Sequence, residues 1–418
     1  MGEDRENNHS NFSFMQETIK QKKLYQTRIV QKLAWSAVSG ALFAFTALII
    51  FAAVLPKLNN HVEKQEVQEI VIPEDAEEET EPEEIPVYIT ETISMELEDY
   101  KKMYLQLMQI GNQVEKSLVN VSAVTVDTDW FDETYTSQSS ASGVLIGDNG
   151  LEVLILTNYE HIRGAEKLLV TFYDHTTAQA VLKKYDKNTG LAVISVNVSD
   201  VTESTKGVIL YADLGSSKTL RRGEPVIAVG SPIGTQDSIL FGNLTSSVQM
   251  AALYDGIYNV LTTDMSASDS GSGVLVSWSG TIVGFIQKQC RVNSQKDTIQ
   301  AYGISDIKNV IEHLSNNQDI VYMGIMGADV TTAVSEAEEI PIGVYVSEVA
   351  MDSPAIEAGI QPGDIITSMS GQPITNQKDI MSILLKCSNG QSVQVVCQRP
   401  SQEGYQELTL TVSLRILE

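Results

Sequence analysis

The chain has 418 residues, of which 43% are hydrophobic and 20% are charged, so it is long enough for two or three folded domains. Its formal net charge of −26 argues against nucleic acid as a partner, because phosphate binding needs clustered Lys and Arg. The 3 cysteines are too few and too scattered for a disulfide scaffold, and no Cys/His cluster indicates a metal site or a cofactor. One bridge between Cys387 and Cys397 stays open as an alternative to free thiols.

An uncharged apolar run extends from Leu33 to Leu55 and is long enough to cross a bilayer as a helix. A secretory signal peptide is the alternative, but this run is longer than the apolar region of such peptides and no clear cleavage site follows it. We therefore expect an uncleaved membrane anchor. Basic residues precede the run and Glu-rich sequence follows it, which predicts a cytoplasmic tail at residues 1–32 and later domains outside the cytoplasm.

The sequence after the apolar run changes from acidic to alternating. Residues 56–94 are acidic and punctuated by proline, which predicts an extended stalk. Apolar residues at helical spacing from Leu97 to Met108 then predict a helix that leads into the first domain. Between Val119 and Ile304, short apolar runs separated by turn residues predict an antiparallel barrel or sandwich. The segment SDIKNVIEHL predicts a closing helix, and residues 316–418 predict a mixed strand and helix module.

Along the chain, six motifs occur in the order SASGVLI, LTN, TGLAVISV, VIAVGSPIG, GISDIKNVIEHL and SPAIEAGIQPGDIITSMSG. In this order they resemble the motifs of the HtrA family of membrane-linked or secreted serine proteases, which join a trypsin-fold domain to a PDZ domain. The resemblance implies a mainly β fold, with a trypsin-like double β-barrel domain at residues 95–315 and an α/β PDZ domain at 316–418, preceded by one transmembrane helix. It also implies a homotrimer.

The turn SDSGSG resembles the nucleophile turn of the family. This resemblance makes Ser270 the candidate nucleophile, with Gly271 directly after it in the oxyanion-loop region. Ser268 occupies the position of a family glycine whose backbone N–H helps to form the oxyanion hole. A Cβ at that position is expected to strain the hole or relax it.

The other two triad positions of the family are substituted. Aligned without a gap, Glu160 occupies the histidine position and His161 lies one residue later, which turns its side chain by about 100° on a helical turn. Gly190 occupies the aspartate position, and Asp186 lies four residues upstream. His175 is expected in an exposed turn, so His161 is the remaining candidate base.

These substitutions predict little or no peptidase activity. A serine without a base and an orienting carboxylate loses most of its activation. The alternative is an active endopeptidase in which a rearranged loop returns His161 to Ser270, with Asp186 or another carboxylate behind it.

The PDZ-like module predicts a function that does not need the triad. Such domains add an extended peptide to a sheet edge and capture its C-terminal carboxylate with backbone N–H groups. The resemblance places this loop at Tyr322, Met323, Gly324 and Ile325, and a simple strand entry is the alternative. We expect a binding protein for polypeptides or C-terminal peptides in extracytoplasmic quality control or scaffolding. A further alternative makes the protease fold a spacer for the PDZ domain.

Overall fold

The computed structural model describes residues 68–73, 75, 96–128, 134–291, 297–402 and 404–417. The predicted anchor and most of the predicted stalk lie outside these residues. Within the described ranges, no helix is both long and apolar enough to cross a membrane. The chain divides into Met1–Glu66 and Val67–Glu418, and the described residues all belong to the second unit.

Helix α1 (Leu97–Glu115) confirms the predicted leading helix and is followed by a closed six-stranded barrel. The barrel strands are β1 (Leu118–Thr128), β2 (Thr134–Asp148), β3 (Glu152–Asn158), β4 (Lys167–Thr171), β5 (Thr177–Asp186) and β6 (Leu191–Asn197). They pair in the order β1-β2-β3-β6-β5-β4, and every pair is antiparallel. Buried Ala178 and Ala180 alternate with exposed neighbours at the start of β5, as expected for a strand with one face toward a core.

A second closed barrel follows two short helices, α2 (Tyr159–Ile162), which lies between β3 and β4, and α3 (Glu203–Lys206). Its strands are β7 (Pro225–Ser231), β8 (Ser238–Leu253), β9 (Gly256–Ser266), β10 (Ser272–Ser277), β11 (Ile282–Ile286) and β12 (Thr298–Gly303). They pair antiparallel in the order β10-β11-β12-β9-β8-β7. The N–H of Ser142 donates to Ser272 Oγ at 2.9 Å and joins the two barrels. Of the antiparallel barrel and the sandwich that the sequence left open, the structure shows the barrel.

Helix α4 (Ile304–Ser315) confirms the predicted closing helix, and its apolar face is buried. Asp75, which precedes α1 in the chain, packs beside it. There Lys308 Nζ lies 2.8 Å from Asp75 Oδ1, and both side chains are more than nine-tenths buried. This ion pair therefore attaches Asp75 to helix α4.

The last part of the chain forms a mixed sheet-and-helix domain. Its elements are β13 (Val321–Tyr322), β14 (Ile325–Val330), α5 (Thr332–Glu338), β15 (Gly343–Val349), α6 (Pro354–Ala358), β16 (Ile365–Met369), β17 (Gln372–Pro373), α7 (Gln377–Leu384), β18 (Ser392–Ser401), β19 (Gly404–Ser413) and β20 (Arg415–Ile416). The main sheet has the order β14-β15-β16-β18-β19, so β14 is an edge strand. Helix α7 begins with a capping box between Asn376 and Asp379, which satisfies backbone donors of its first turn.

The cysteines do not form the disulfide that the sequence left open. Cys387 and Cys397 are both free thiols. Cys397 is buried on β18, where its Sγ lies 3.9 Å from Asp364 Oδ2, and Cys387 follows α7. The bridge is therefore absent from this domain.

Candidate functional site

The candidate nucleophile lies on the tight turn between β9 and β10. Ser270 is exposed, and its Oγ lies 3.1 Å from the Oγ of Ser268. The Ser270 N–H donates weakly to the same Ser268 hydroxyl at 3.4 Å, and the Gly271 N–H donates to the Ser268 carbonyl at 3.0 Å. An oxyanion hole needs N–H groups free to meet a developing charge. Here the Ser268 hydroxyl accepts from the Ser270 N–H and so competes with an oxyanion for that donor.

Arg291 and Gly234 lie on either side of this turn. Arg291 donates to the Ser268 carbonyl and to Asp269 Oδ1, the latter at 2.9 Å. On the other side, a Cβ at Gly234 would lie 2.5 Å from Ser270 Oγ, so a larger residue there would require the Ser270 side chain to move. Gly234 also has a φ of +83°, which favours glycine. The Ser270 hydroxyl therefore lies directly beside the Gly234 backbone.

Glu160 and His161 both lie on the single turn of α2. Glu160 is exposed, whereas the His161 ring is partly buried. Burial lowers the pKa of His161, the nearby Lys288 charge acts in the same direction, and Glu160 opposes them. The ring is therefore neutral at pH 7, as a base must be. However, within the described part of the chain, the ring forms no hydrogen bond with Ser270.

Gly190 lies at the turn between β5 and β6 with a φ of +74°. The side chain of Gln287 reaches over it, and Gln287 Nε2 donates to the Gly190 carbonyl at 2.6 Å. A Cβ at residue 190 would lie 2.7 Å from Gln287 Nε2 and 2.7 Å from Gln289 Cδ. Two glutamine side chains thus fill the space into which a carboxylate at this position would extend.

Asp186, the other candidate carboxylate, is used within its own turn. Its Oδ2 accepts from the Thr189 hydroxyl at 2.7 Å and from the Thr189 N–H at 3.1 Å, and its Oδ1 accepts from the Asn188 N–H at 3.1 Å. Burial raises the pKa of Asp186, while these hydrogen bonds oppose the rise. The carboxylate shapes the turn around Gly190. Among the residues that the structure describes, no hydrogen bond joins the Asp186 carboxylate to His161.

The environment of Gly190 leads to a stability prediction. We expect Gly190→Ala to lower the free energy of unfolding by about 1–3 kcal/mol, because a Cβ strains a left-handed backbone and meets both glutamines. Gly164→Ala is the matched control, since Gly164 has a φ of +70° but nothing within 4 Å of a Cβ. Denaturant unfolding of the two variants measures the difference. Equal losses would mean that the glutamines do not hold this position.

The second candidate site is the loop from Tyr322 to Ile325, and the structure places a carboxylate at it. The N–H groups of Met323, Gly324 and Ile325 donate to the side chain of Asp255, at distances between 2.7 and 3.0 Å. Gly324 has a φ of +94°, which lets consecutive N–H groups point toward one acceptor. The loop therefore has the geometry of a carboxylate-binding site.

Sequence reasoning missed two residues that the fold brings to these sites. Asp255 showed only the signal of a hairpin turn between two strands, and Gln287 showed only the end of a buried strand. His175 lies where the sequence predicted, exposed in the turn between β4 and β5 with a φ of +63°. No group of three or more His, Cys, Asp or Glu side chains is arranged for a metal ion in the ranges that the structure describes.

Comparison with known proteins agrees with this two-domain architecture. Residues 141–285 match the trypsin-like peptidase domain, and residues 321–414 match the PDZ domain. The serine protease Do-like HtrA of Bacillus subtilis is 30% identical over 345 residues, which cover 76% of this chain and 72% of the relative. The chain belongs to the HtrA family. Its predicted trypsin-like double barrel and C-terminal PDZ domain are confirmed.

Other HtrA relatives match over smaller parts of their length. The Do-like HtrB of Bacillus subtilis is 30% identical over 276 residues, or 59% of its own length. A probable periplasmic serine endoprotease, DegP-like, of Pseudomonas savastanoi is 29% identical over 289 residues, or 57% of its length. Among solved structures, the HtrA-type protease AlgW with a decapeptide superposes with a TM-score of 0.53 at 20% identity, covering 75% of this chain and 99% of AlgW.

Proposed function

We propose that this HtrA family chain has an impaired serine-protease site and works by binding polypeptides through its PDZ domain. It acts in extracytoplasmic protein quality control or as a scaffold. One observation carries the proposal: Gln287 and Gln289 fill the space over Gly190, where the carboxylate of a triad is needed. The exposed Ser270 hydroxyl has the hydroxyl of Ser268 beside it, and no imidazole bonds to it among the described residues.

The chemistry of this site favours binding over cleavage. A serine hydroxyl becomes a strong nucleophile when a hydrogen-bonded base takes its proton, and a carboxylate orients that base. The neutral ring of His161 has the charge state of a base without the contact that makes it one. Glu160 is exposed, which leaves a carboxylate poorly matched to a serine hydroxyl.

A serine-reactive phosphonate probe tests the proposal directly. We expect no more labelling of the full chain than of its Ser270→Ala variant, because the probe reacts with activated serines. The Do-like HtrA of Bacillus subtilis, run in parallel, is the positive control for the probe. Labelling that disappears with Ser270→Ala would overturn the proposal.

An active endopeptidase is the second candidate function. The relatives from Bacillus subtilis are named serine proteases, and the Ser270 hydroxyl is open to solvent. In this alternative, a rearranged loop returns His161 to Ser270, with Asp186 or another carboxylate behind it. Labelling that depends on both Ser270 and His161 would establish this alternative.

Membrane attachment and partners complete the proposal. The apolar run from Leu33 to Leu55 supports an anchor with the C-terminal domains outside the cytoplasm, and one relative is named as periplasmic. Retention in membranes after an alkaline carbonate wash tests the anchor, and release into the supernatant would contradict it. The loop from Tyr322 to Ile325 supports peptide ligands, as does the solved AlgW complex with a decapeptide. A homotrimer stays a prediction.

A further inference from the structure

The carboxylate-binding loop of the PDZ domain already holds a carboxylate that belongs to the protease domain. Asp255 lies at the tip of the hairpin between β8 and β9, where Leu253 pairs with Gly256. Its side chain accepts four contacts from three backbone N–H groups of the loop, and the residue is only 4% exposed. Several backbone N–H groups that converge on one buried carboxylate form an anion-binding site, and Asp255 occupies it.

The backbone of Asp255 also imitates a bound peptide. Its own N–H donates to the carbonyl of Ile325 at 2.7 Å, at the start of the edge strand β14. A peptide that adds to a sheet edge and ends in a captured carboxylate makes these same two kinds of contact through its last residue. Asp255 supplies both of them, with its side chain in place of the terminal carboxylate.

The neighbouring groups hold both partners of this contact in place. Asn188 Nδ2 donates to the Tyr254 carbonyl at 2.8 Å and fixes the hairpin tip. The carbonyls of Met323 and Gly324 accept from the N–H groups of Ala355 and Ala350, both at 2.9 Å. The loop is therefore preorganised, with its N–H groups directed at the hairpin and its carbonyls bound to the rest of the PDZ domain.

The same face of the protease domain also contacts helix α7. The hydroxyl of Tyr258 lies 3.9 Å from Met381 Sδ, and His313 Nε2 lies 2.8 Å from the carbonyl of Leu385, directly after the helix. Gln377 Nε2 donates to the carbonyl of Gly327 on β14 at 3.0 Å, so it occupies a second acceptor of the edge strand. A peptide along β14 must therefore compete with contacts that exist within the chain.

The charge of Asp255 suits this role at neutral pH. Burial raises the pKa of Asp255 to about 6, the three N–H groups of the loop oppose the rise, and the charge of Asp186 adds to it. The group is therefore mostly ionised at pH 7, where its charge matches the donors of the loop as a terminal carboxylate would.

We propose that Asp255 is a resident internal ligand of the PDZ loop, and that the C-terminal carboxylate of a peptide must displace it to bind. The displacement step rests on the proposed peptide-binding function, whereas the residence of Asp255 does not. A site occupied from within binds its external ligand with an affinity reduced by the fraction of time that it is open. The hairpin tip therefore sets how readily this PDZ domain accepts a partner.

Peptide binding to the full chain and to Asp255→Gly tests the displacement. Glycine accepts the φ of +58° at this position, so the variant keeps the turn and loses only the carboxylate. The probe is a pool of fluorescent peptides with apolar last residues and free C-terminal carboxylates, and the amidated pool is its control. We expect Asp255→Gly to bind the free-carboxylate pool at least about tenfold more tightly than the unmodified chain, and neither protein to bind the amidated pool.

Asp237→Gly is the matched protein control, since Asp237 is an exposed aspartate with a φ of +55°. It should bind the peptides as the unmodified chain does. Equal peptide affinity of the unmodified chain and Asp255→Gly would overturn the displacement.

Hydrogen exchange without peptide tests the residence of Asp255 separately. We expect the amides of Met323, Gly324 and Ile325 to lose protection in Asp255→Gly and to keep it in Asp237→Gly. Unchanged protection in Asp255→Gly would overturn the proposal whatever the peptides do. If protection is lost and neither protein binds any peptide, Asp255 is the resident ligand, and both its displacement and the proposed peptide-binding function are wrong.

Discussion

The full chain is expected to degrade an unfolded protein no faster than its Ser270→Ala variant. The reason is the missing connection between nucleophile and base: Ser270 has only Ser268 as a hydroxyl partner among the described side chains, and Gly190 offers no carboxylate. Loss of triad members in a characterised serine protease lowers turnover by roughly 10⁴ to 10⁶. Cleavage of fluorescently labelled casein, followed over hours, measures whether this chain shows such a loss.

Two controls make that experiment decisive. The Do-like HtrA of Bacillus subtilis is the control for whether the substrate is cleavable. The His161→Ala variant of this chain shows whether any residual rate uses the displaced imidazole. A rate that disappears with both Ser270→Ala and His161→Ala would replace the proposed function with the active-endopeptidase alternative. A rate that survives Ser270→Ala would come from a contaminating protease and would leave the expected result standing.

Removing Lys308 from its buried ion pair with Asp75 is expected to lower the free energy of unfolding more than the substitutions at Gly190 or Lys378 do. The side chains of the two residues are 7% and 5% exposed, and the Asp75 carboxylate also accepts from the hydroxyls of Ser216 and Ser305. Lys308→Ala leaves this carboxylate buried without its cation, which costs about 3–5 kcal/mol in comparable pairs. The free energy of unfolding, or the temperature at which the barrels melt, measures the effect.

An exposed pair provides the comparison. Lys378 lies 3.4 Å from Asp306 Oδ1 and its side chain is 63% exposed, so Lys378→Ala is expected to cost at most about 1 kcal/mol. Similar losses in the two variants would mean that Asp75 leaves its site freely and that the segment before α1 adds little to the fold.

The Asp75 pair also has a defined pH dependence. Burial opposes the ionisation of Asp75, but the hydrogen bonds from Lys308, Ser305 and Ser216 outweigh it and hold the pKa of Asp75 below its usual value. A lowered pKa in the folded state adds stability above the unfolded pKa of about 3.9, and this stability is lost as the pH falls through the folded value. The difference between the unmodified chain and Lys308→Ala should therefore shrink in strong acid.

The sequence alone determined the architecture and the composition of the protease site. Strand periodicity and turn residues are local signals, because a strand with one buried face needs an apolar residue at every second position. The strands of the barrel region and the closing helix could therefore be predicted from local pattern, whereas the double barrel and the PDZ domain were what the resemblance to the HtrA family implied. The one-residue displacement of His161 and the glycine at residue 190 were also visible, since the first is a matter of spacing and the second of residue identity, each within one short family motif.

The tertiary structure alone decided how the two sites are occupied. Gln287 lies 97 residues from the Gly190 carbonyl that it binds, and Asp255 lies between 68 and 70 residues from the N–H groups that it fills. Neither contact has a local signature, because a turn aspartate and a strand-end glutamine have the same sequence signal whatever they meet. Only the closure of the barrels and the docking of the PDZ loop on the hairpin tip bring these side chains to their acceptors and donors.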